Sequence, residues 1–277
     1  MDRGHCRTLK ASIAAAFFAC GATGESAADM LVSPLRAVLS EQTTRMSVTV
    51  MNQSDRLLDV RAQWLELSAT EQGGYAPASP QIQGGLSASP YLLVSPDNVR
   101  IAPGRQAAFI LHLAPEATPP AGERRSHLLI EGAAAATRAR KASLADIPLD
   151  MKLGVSIPVL LRRGNGDATA RIAHAEFSRK PDGGLTLITD IDRDGAFSAY
   201  GRLVARWRQT GADEAEIIGV LDNIALYTDI PRRRAGIPLI RSDVDGGRLE
   251  LAYEGAGEYA GRNFDAEAYD IEPREAP

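Results

Sequence analysis

Three groups of residues have types and spacings that could do chemistry. Ser126 and His127 are neighbours, the nucleophile and general base of an acyl-transfer site. On a strand, adjacent side chains point to opposite faces, so this pair shares no proton in place, and neither a third partner nor an oxyanion hole accompanies it. His127 reads instead as a buried or cleft-edge histidine that makes hydrogen bonds. The histidines beyond residue 28 are His112, His127 and His174, and no HxH or HExxH spacing joins them, so no zinc site is expected. Asp190-Ile191-Asp192-Arg193-Asp194-Gly195 imitates the opening of a calcium loop. Its twelfth position is Gly201, where a bidentate glutamate belongs, and an arginine stands among the carboxylates. The same residues also fit the outer face of a strand running into a turn. Pro231-Arg232-Arg233-Arg234 is a basic run, read as a solvated turn or as a contact for an acidic partner surface. With no Gly-rich phosphate loop, dinucleotide fingerprint or paired catalytic carboxylates, an enzyme is not expected, nor a cofactor or a metal.

The residue pattern that stands out is structural. From Leu149 to Arg163 the chain reads LDMKLGVSIPVLLRR, with apolar Leu149, Met151, Leu153, Val155, Ile157, Val159 and Leu161 at every second position. That period marks a strand with one apolar face. It is longer than the usual strand of about five or six residues. The extra apolar length serves either this protein's own core or a partner's.

The elements around it are bounded by composition. At 277 residues, 44% hydrophobic and 24% charged, the chain suits one large or two ordinary globular domains. Residues 1–28 read as a cleaved secretory signal: Arg3, Arg7 and Lys10, then an apolar run from Ala11 to Ala22, then Ser26-Ala27-Ala28. A rival reading, acylation at Cys20, meets a poor lipobox in Phe17-Phe18-Ala19. The apolar run is too short to span a bilayer, so no membrane insertion is expected. Cys6 and Cys20 both lie in this segment, so a mature exported chain holds together by packing alone. Removing three basic residues from 31 and two acidic ones from 35 leaves a net charge of −5, which argues against nucleic-acid binding.

Short alternating segments with turns between them fill residues 29–163 and predict an all-β domain, a sandwich of immunoglobulin type. Residues 133–148 read as a mobile loop. A Gly-containing hinge at Arg163-Gly164-Asn165-Gly166 leads into a second strand-rich block, residues 164–255, expected to be a smaller β-sandwich. The stretch 256–277 is acidic, without a repeating apolar pattern, and is expected to be a flexible tail.

Several pieces together resemble the periplasmic pilus-assembly chaperones of chaperone–usher pathways: VSPLRAVLSE with NQS, YLLVSPDNVRIAPGRQAAF, GERRSHLLIEG and GVSIPVLLRR. The wording of GERRSHL and SIPV is most similar to the archaic, spore-coat-like branch. The resemblance is firm over residues 29–163 and weaker beyond. It implies two immunoglobulin-like domains set in an L and a non-enzymatic function, donor-strand complementation. In this mode the chaperone's last N-terminal strand fills the groove of an incomplete fimbrial subunit before delivery to an outer-membrane usher. Main-chain bonds to the guest's edge give affinity, and alternate side chains fill its pockets. On this resemblance Leu149, Met151, Leu153, Val155 and Ile157 are the donors, while Val159 and Leu161 serve the protein's own core. The family's carboxylate-binding arginine aligns with Arg36, and its last-strand lysine with Pro158, which carries no charge. Arg125 is the expected substitute, with Arg124, Lys152 and Arg162 as secondary candidates. Self-association through the donor-strand edge stays open. The competing reading is an exported two-domain adhesin or structural surface protein, whose last N-terminal strand would be ordinary core.

Overall fold

A computed structural model describes residues 30–78, 85–134 and 153–273. The expected signal segment, the donors Leu149 and Met151, the anchor candidate Lys152 and most of the loop expected at 133–148 lie outside the described residues. The first domain comprises β1 (Met30–Ser33), β2 (Ala37–Leu39), β3 (Arg45–Asn52), β4 (Leu58–Leu65), β5 (Leu67–Ala69), β6 (Tyr75–Pro77), β7 (Leu92–Ser95), β8 (Asn98–Ile101), β9 (Gln106–Leu113), β10 (Gly122–Ala134) and β11 (Leu153–Arg163). Two sheets, in the orders β1-β3-β9-β7 and β2-β11-β10-β4-β8, close on a core that includes Val48, Val60, Phe109, Leu111, Leu128, Ile130 and Leu161. Each strand turns alternate residues inward, which is why β4 buries Leu58, Val60 and Ala62 and exposes the residues between. Trp64 is half-buried against this core.

The opening segment LVSPLRAVL is not one strand. The chain leaves the first sheet after β1, passes Pro34 and Leu35, and enters the second as β2, parallel to β11 at Val159, Leu160 and Leu161. Arg36 sits at this change of sheet.

The second domain holds β12 (Thr169–Arg179), β13 (Leu185–Asp194), β14 (Ala199–Arg208), β15 (Glu216–Leu226), β16 (Arg232–Pro238), β17 (Gly247–Gly255) and β18 (Asn263–Ile271). Its sheets run β12-β13-β16 and β15-β14-β17-β18, packed on Leu187, Ile191, Leu203, Trp207, Leu251 and Tyr253. The buried indole of Trp207 donates to the Gly246 carbonyl at 2.8 Å, so its one polar atom is satisfied. Gly164 links the domains with a φ of 74°, a left-handed turn that a side chain would strain. All-β architecture in two sandwiches therefore holds.

Two expectations about the second half change. The basic run is not a turn: Arg232, Arg233 and Arg234 open β16. The acidic stretch is not a free tail either. β18 pairs with β17 from Gly247 to Glu254, and its Phe264, Tyr269 and Ile271 pack on the domain core, with Phe264 stacked on Tyr253 at 5.0 Å between ring centroids. Partial burial of three large side chains outweighs the acidic composition of the segment. Deleting residues 263–277 is expected to bare the edge of β17 and abolish a soluble, cooperatively melting chain. Phe264→Ala alone should cost about 2 kcal/mol in urea unfolding. A truncated chain with an unchanged midpoint would contradict this role.

Candidate functional site

β11 is paired with β10 along its whole length, from Leu153 opposite Gly132 to Arg163 opposite Gly122. On its other side β2 covers only Val159 to Leu161. Among the described residues, Leu153 to Pro158 therefore present an open sheet edge. A proline keeps its place in an edge strand when its nitrogen faces the open side, where no ladder bond is lost. By the two-residue period, Gly154 and Ser156 turn their N–H and C=O groups the same way. Among the described residues no strand pairs with these outward groups.

The side chains divide differently from the expectation. Val155 is half-buried and packs on the core, and Ile157 is 1% exposed in the same cluster as Val159 and Leu161. Ile157 was expected among the side chains lent to a partner; it belongs to this domain's own interior, because it lies opposite buried Leu128. The opposite face carries Leu160, which packs with Ala225 and Tyr227 of the second domain.

That face overlooks a cleft between the domains of about 810 Å³, lined by Leu35, Arg36, Val38, Ser156, Pro158, Tyr200, Tyr227, Arg233 and Glu258 among others. The arginines expected as anchors fall into three situations. Arg125, 7% exposed, makes a two-pronged pair with Asp229 at 3.0 and 2.8 Å and donates to the Leu67 carbonyl at 3.0 Å. Its guanidinium lies 4.0 Å over the Tyr227 ring. Asp229, 5% exposed, also accepts the Ala69 N–H at 2.7 Å. Arg162 donates to Glu123 at 2.8 Å and to the Ser198 carbonyl at 3.1 Å, and Glu123 accepts the Ser198 N–H at 3.0 Å. Both arginines are thus spent on fastening one domain to the other. Each already has a carboxylate, which leaves neither as the free anchor expected of it. Arg124 donates outward to the Pro120 carbonyl at 2.8 Å, away from the cleft residues.

Arg36 is different. Its Nη1 donates to both oxygens of Glu258 at 2.8 Å, a carboxylate that also pairs with Arg162 at 3.0 Å. The side chain is 9% exposed and lies 4.5 Å over Tyr200. Yet its Nε and Nη2 are buried without a hydrogen-bond partner. Buried guanidinium donors left unmade are costly, and here they adjoin a cleft.

The other chemical candidates resolve into structure. The Ser126 hydroxyl donates to Glu66 at 2.7 Å and accepts the Ala88 and Ser89 N–H groups at 2.9 and 2.8 Å, so its lone pairs are engaged. His127 makes no hydrogen bond through either ring nitrogen and sits edge-on to Tyr75 at 4.6 Å; the hydrogen bonds expected of it are not made. Asp192 pairs with Arg232 at 2.6 Å and Arg171 at 3.5 Å, and Asp190 lies 3.8 Å from Arg234. These aspartates are the outer face of β13, neutralised by arginine, and among the described residues no cluster of metal-ligating side chains occurs. No described helix is long and apolar enough to cross a membrane.

The domain lock sets two expectations. Asp229→Asn should destabilise the chain by about 3 kcal/mol, since it leaves a buried guanidinium unpaired; an unchanged chemical-denaturation midpoint would contradict it. The pKa of His127 is lowered from 6.5 to about 4, first by burial, then by the charge of Arg125, against the opposing pull of Asp229. Below about pH 6.5 the unfolded chain takes up a proton at His127 that the folded chain refuses until about pH 4. The stability contribution is full above that window and falls as pH drops through it, by on the order of 3 kcal/mol. His127→Gln should flatten the pH dependence of the unfolding midpoint between those limits.

No family model and no curated protein matches the sequence. Among solved structures the chain is similar to pilus chaperones. The YadV chaperone shares 9% identity over 88% of this chain and 100% of that one, with a TM-score of 0.47. A chaperone–tip adhesion subunit pre-assembly complex, CsuC-CsuE from the archaic chaperone-usher Csu pili of Acinetobacter baumannii, matches at 12% identity over 90% and 100%, with a TM-score of 0.42. The Pseudomonas aeruginosa CupB2 chaperone matches at 10% identity over 88% and 100%, with a TM-score of 0.42.

Proposed function

We propose that the chain is a periplasmic chaperone that holds fimbrial subunits along the edge of β11 and hands them to an outer-membrane usher. The observation that carries this reading is the open edge from Leu153 to Pro158 beside a cleft in which Arg36 keeps unpartnered donors. A subunit lacking its own last strand needs main-chain partners, and this edge offers them. Its C-terminal carboxylate needs a buried cation, and Arg36 matches both the resemblance noted above and that chemistry. A fixed carboxylate sets the register of the inserted strand, and a one-residue slip would turn every side chain away from its pocket. Leu149, Met151 and Leu153 are the side chains assigned to the guest, while Val155 and Ile157 are retained by the domain's own core. The reading requires neither a catalytic group nor a cofactor.

The alternative, an adhesin or structural surface protein, has no use for an unpaired strand edge, which is an aggregation hazard unless a partner covers it. The test is periplasmic co-expression with each small exported protein encoded beside this gene, followed by size exclusion. A complex of one chain with one subunit is expected. Ser156→Pro removes one outward N–H from the edge, and Arg36→Ala removes the anchor; each should weaken the complex at least about tenfold while the free chain keeps its melting temperature. Co-purification that both variants leave intact would refute the edge and the anchor together.

A further inference from the structure

The cleft lacks the last-strand lysine that the resemblance leads one to expect, since Pro158 stands there. A second cation nevertheless lines it, from the other domain. Along β16 the two-residue period separates the basic run: Arg232 pairs with Asp192 and Arg234 with Glu176 on the outer face, while Arg233 turns the opposite way, into the cleft with Arg36 and Pro158. Its Nη1 donates to the Ala225 carbonyl at 2.8 Å, and its Nε is buried with no partner. No carboxylate among the described residues pairs with it. The turn between β5 and β6 is cut back to admit the guanidinium: a Cβ on Gly73 would stand 2.6 Å from Arg233 Nη2, and Gly73 has a φ of 83°.

Among the described residues the local charges do not cancel. Arg36, Arg162 and Arg233 face Glu258 and Glu123, three cations against two anions, and Arg125 with Asp229 adds nothing net. One positive charge remains, along with unmade donors on both Arg36 and Arg233. Glu258 lies on the Nη1 side of Arg36, which leaves Nε and Nη2 as its unmade donors.

We propose that Arg233 and Arg36 together form a carboxylate site spanning the two domains, which takes the free C-terminal carboxylate of the strand docked on β11. This rests on the strand-holding reading above and adds to it that the second domain takes part in anchoring. A guest held by both domains is tied to their relative placement, which the buried pairs of Arg125 and Arg162 maintain.

The test uses the full mature chain and a fluorescein-labelled strand peptide of alternating valine and threonine, made with a free C-terminal carboxylate and again as the amide. Wild type should bind the acid about thirtyfold more tightly than the amide, the worth of a charge-assisted bond pair. Arg233→Gln should reduce that preference to a few-fold, and Arg233→Lys should restore most of it. Gly73→Ala, which displaces the guanidinium, should behave like Arg233→Gln. If Arg233→Gln weakens acid and amide alike, the residue is structural and the site is overturned; a preference that all the variants retain overturns it too. If wild type binds neither peptide, the strand-holding reading falls and takes the site with it. Melting temperatures of each variant separate loss of binding from loss of fold.

Discussion

Two buried guanidinium–carboxylate pairs hold the two sandwiches in place: Arg125 with Asp229, which crosses between the domains, and Arg162 with Glu123, a cross-strand pair of the first domain that grips Ser198 of the second. Taking four charges out of water is expensive, and apolar packing in the same space would serve stability as well or better. What such pairs supply is geometry. A forked guanidinium accepts a carboxylate in one orientation, and each pair is tied further to backbone, at Leu67, Ala69 and Ser198. The stacked rings of Tyr227 under Arg125, and of Phe197 and Tyr259 beside Arg162, leave little room for sliding. The cleft is as well defined as these contacts make it.

The same pairs explain why the cleft holds any reactive group at all. Arginines beside acidic residues neutralise one another wherever they meet in the outer sheet of the second domain, as Arg232 does with Asp192. In the cleft the supply of acids runs short. Glu258 serves two arginines at once, and Arg233 is left with a carbonyl. An unmatched cation in a half-enclosed space is a demand for an anion, and it arises from the packing of the domains rather than from either one.

Much of the strand plan was legible from alternation alone, because each sheet buries one face. The stretch from Leu153 to Arg163 is a strand for that reason, and the last three of its five alternating apolar positions, Ile157, Val159 and Leu161, fill the core. β18 escaped because its pattern breaks. Phe264 falls at a register shift opposite Tyr253 and Glu254, an extra residue of the kind that forms a bulge, so Phe264 and Tyr269 reach the same core from positions of opposite parity. Between them stand alanines and acids that read as solvated tail. The site was less legible. Nothing local to GERRSHL says that Arg125 meets a carboxylate 104 residues away, so a paired arginine and a free one look alike in sequence. Arg233 hid inside a basic run, although the strand period that isolates it was available once β16 was known to begin at Arg232.

The parallel strand β2 has a bearing on how much of a foreign chain this edge can accept. It occupies β11 from Val159 to Leu161, so a strand docked along the open backbone, as proposed above, would meet an obstruction after Pro158 and turn away into the cleft. In the function proposed above, such a built-in terminus would halt a guest strand's end beside Arg36 and discourage the unlimited sheet growth that bare margins invite.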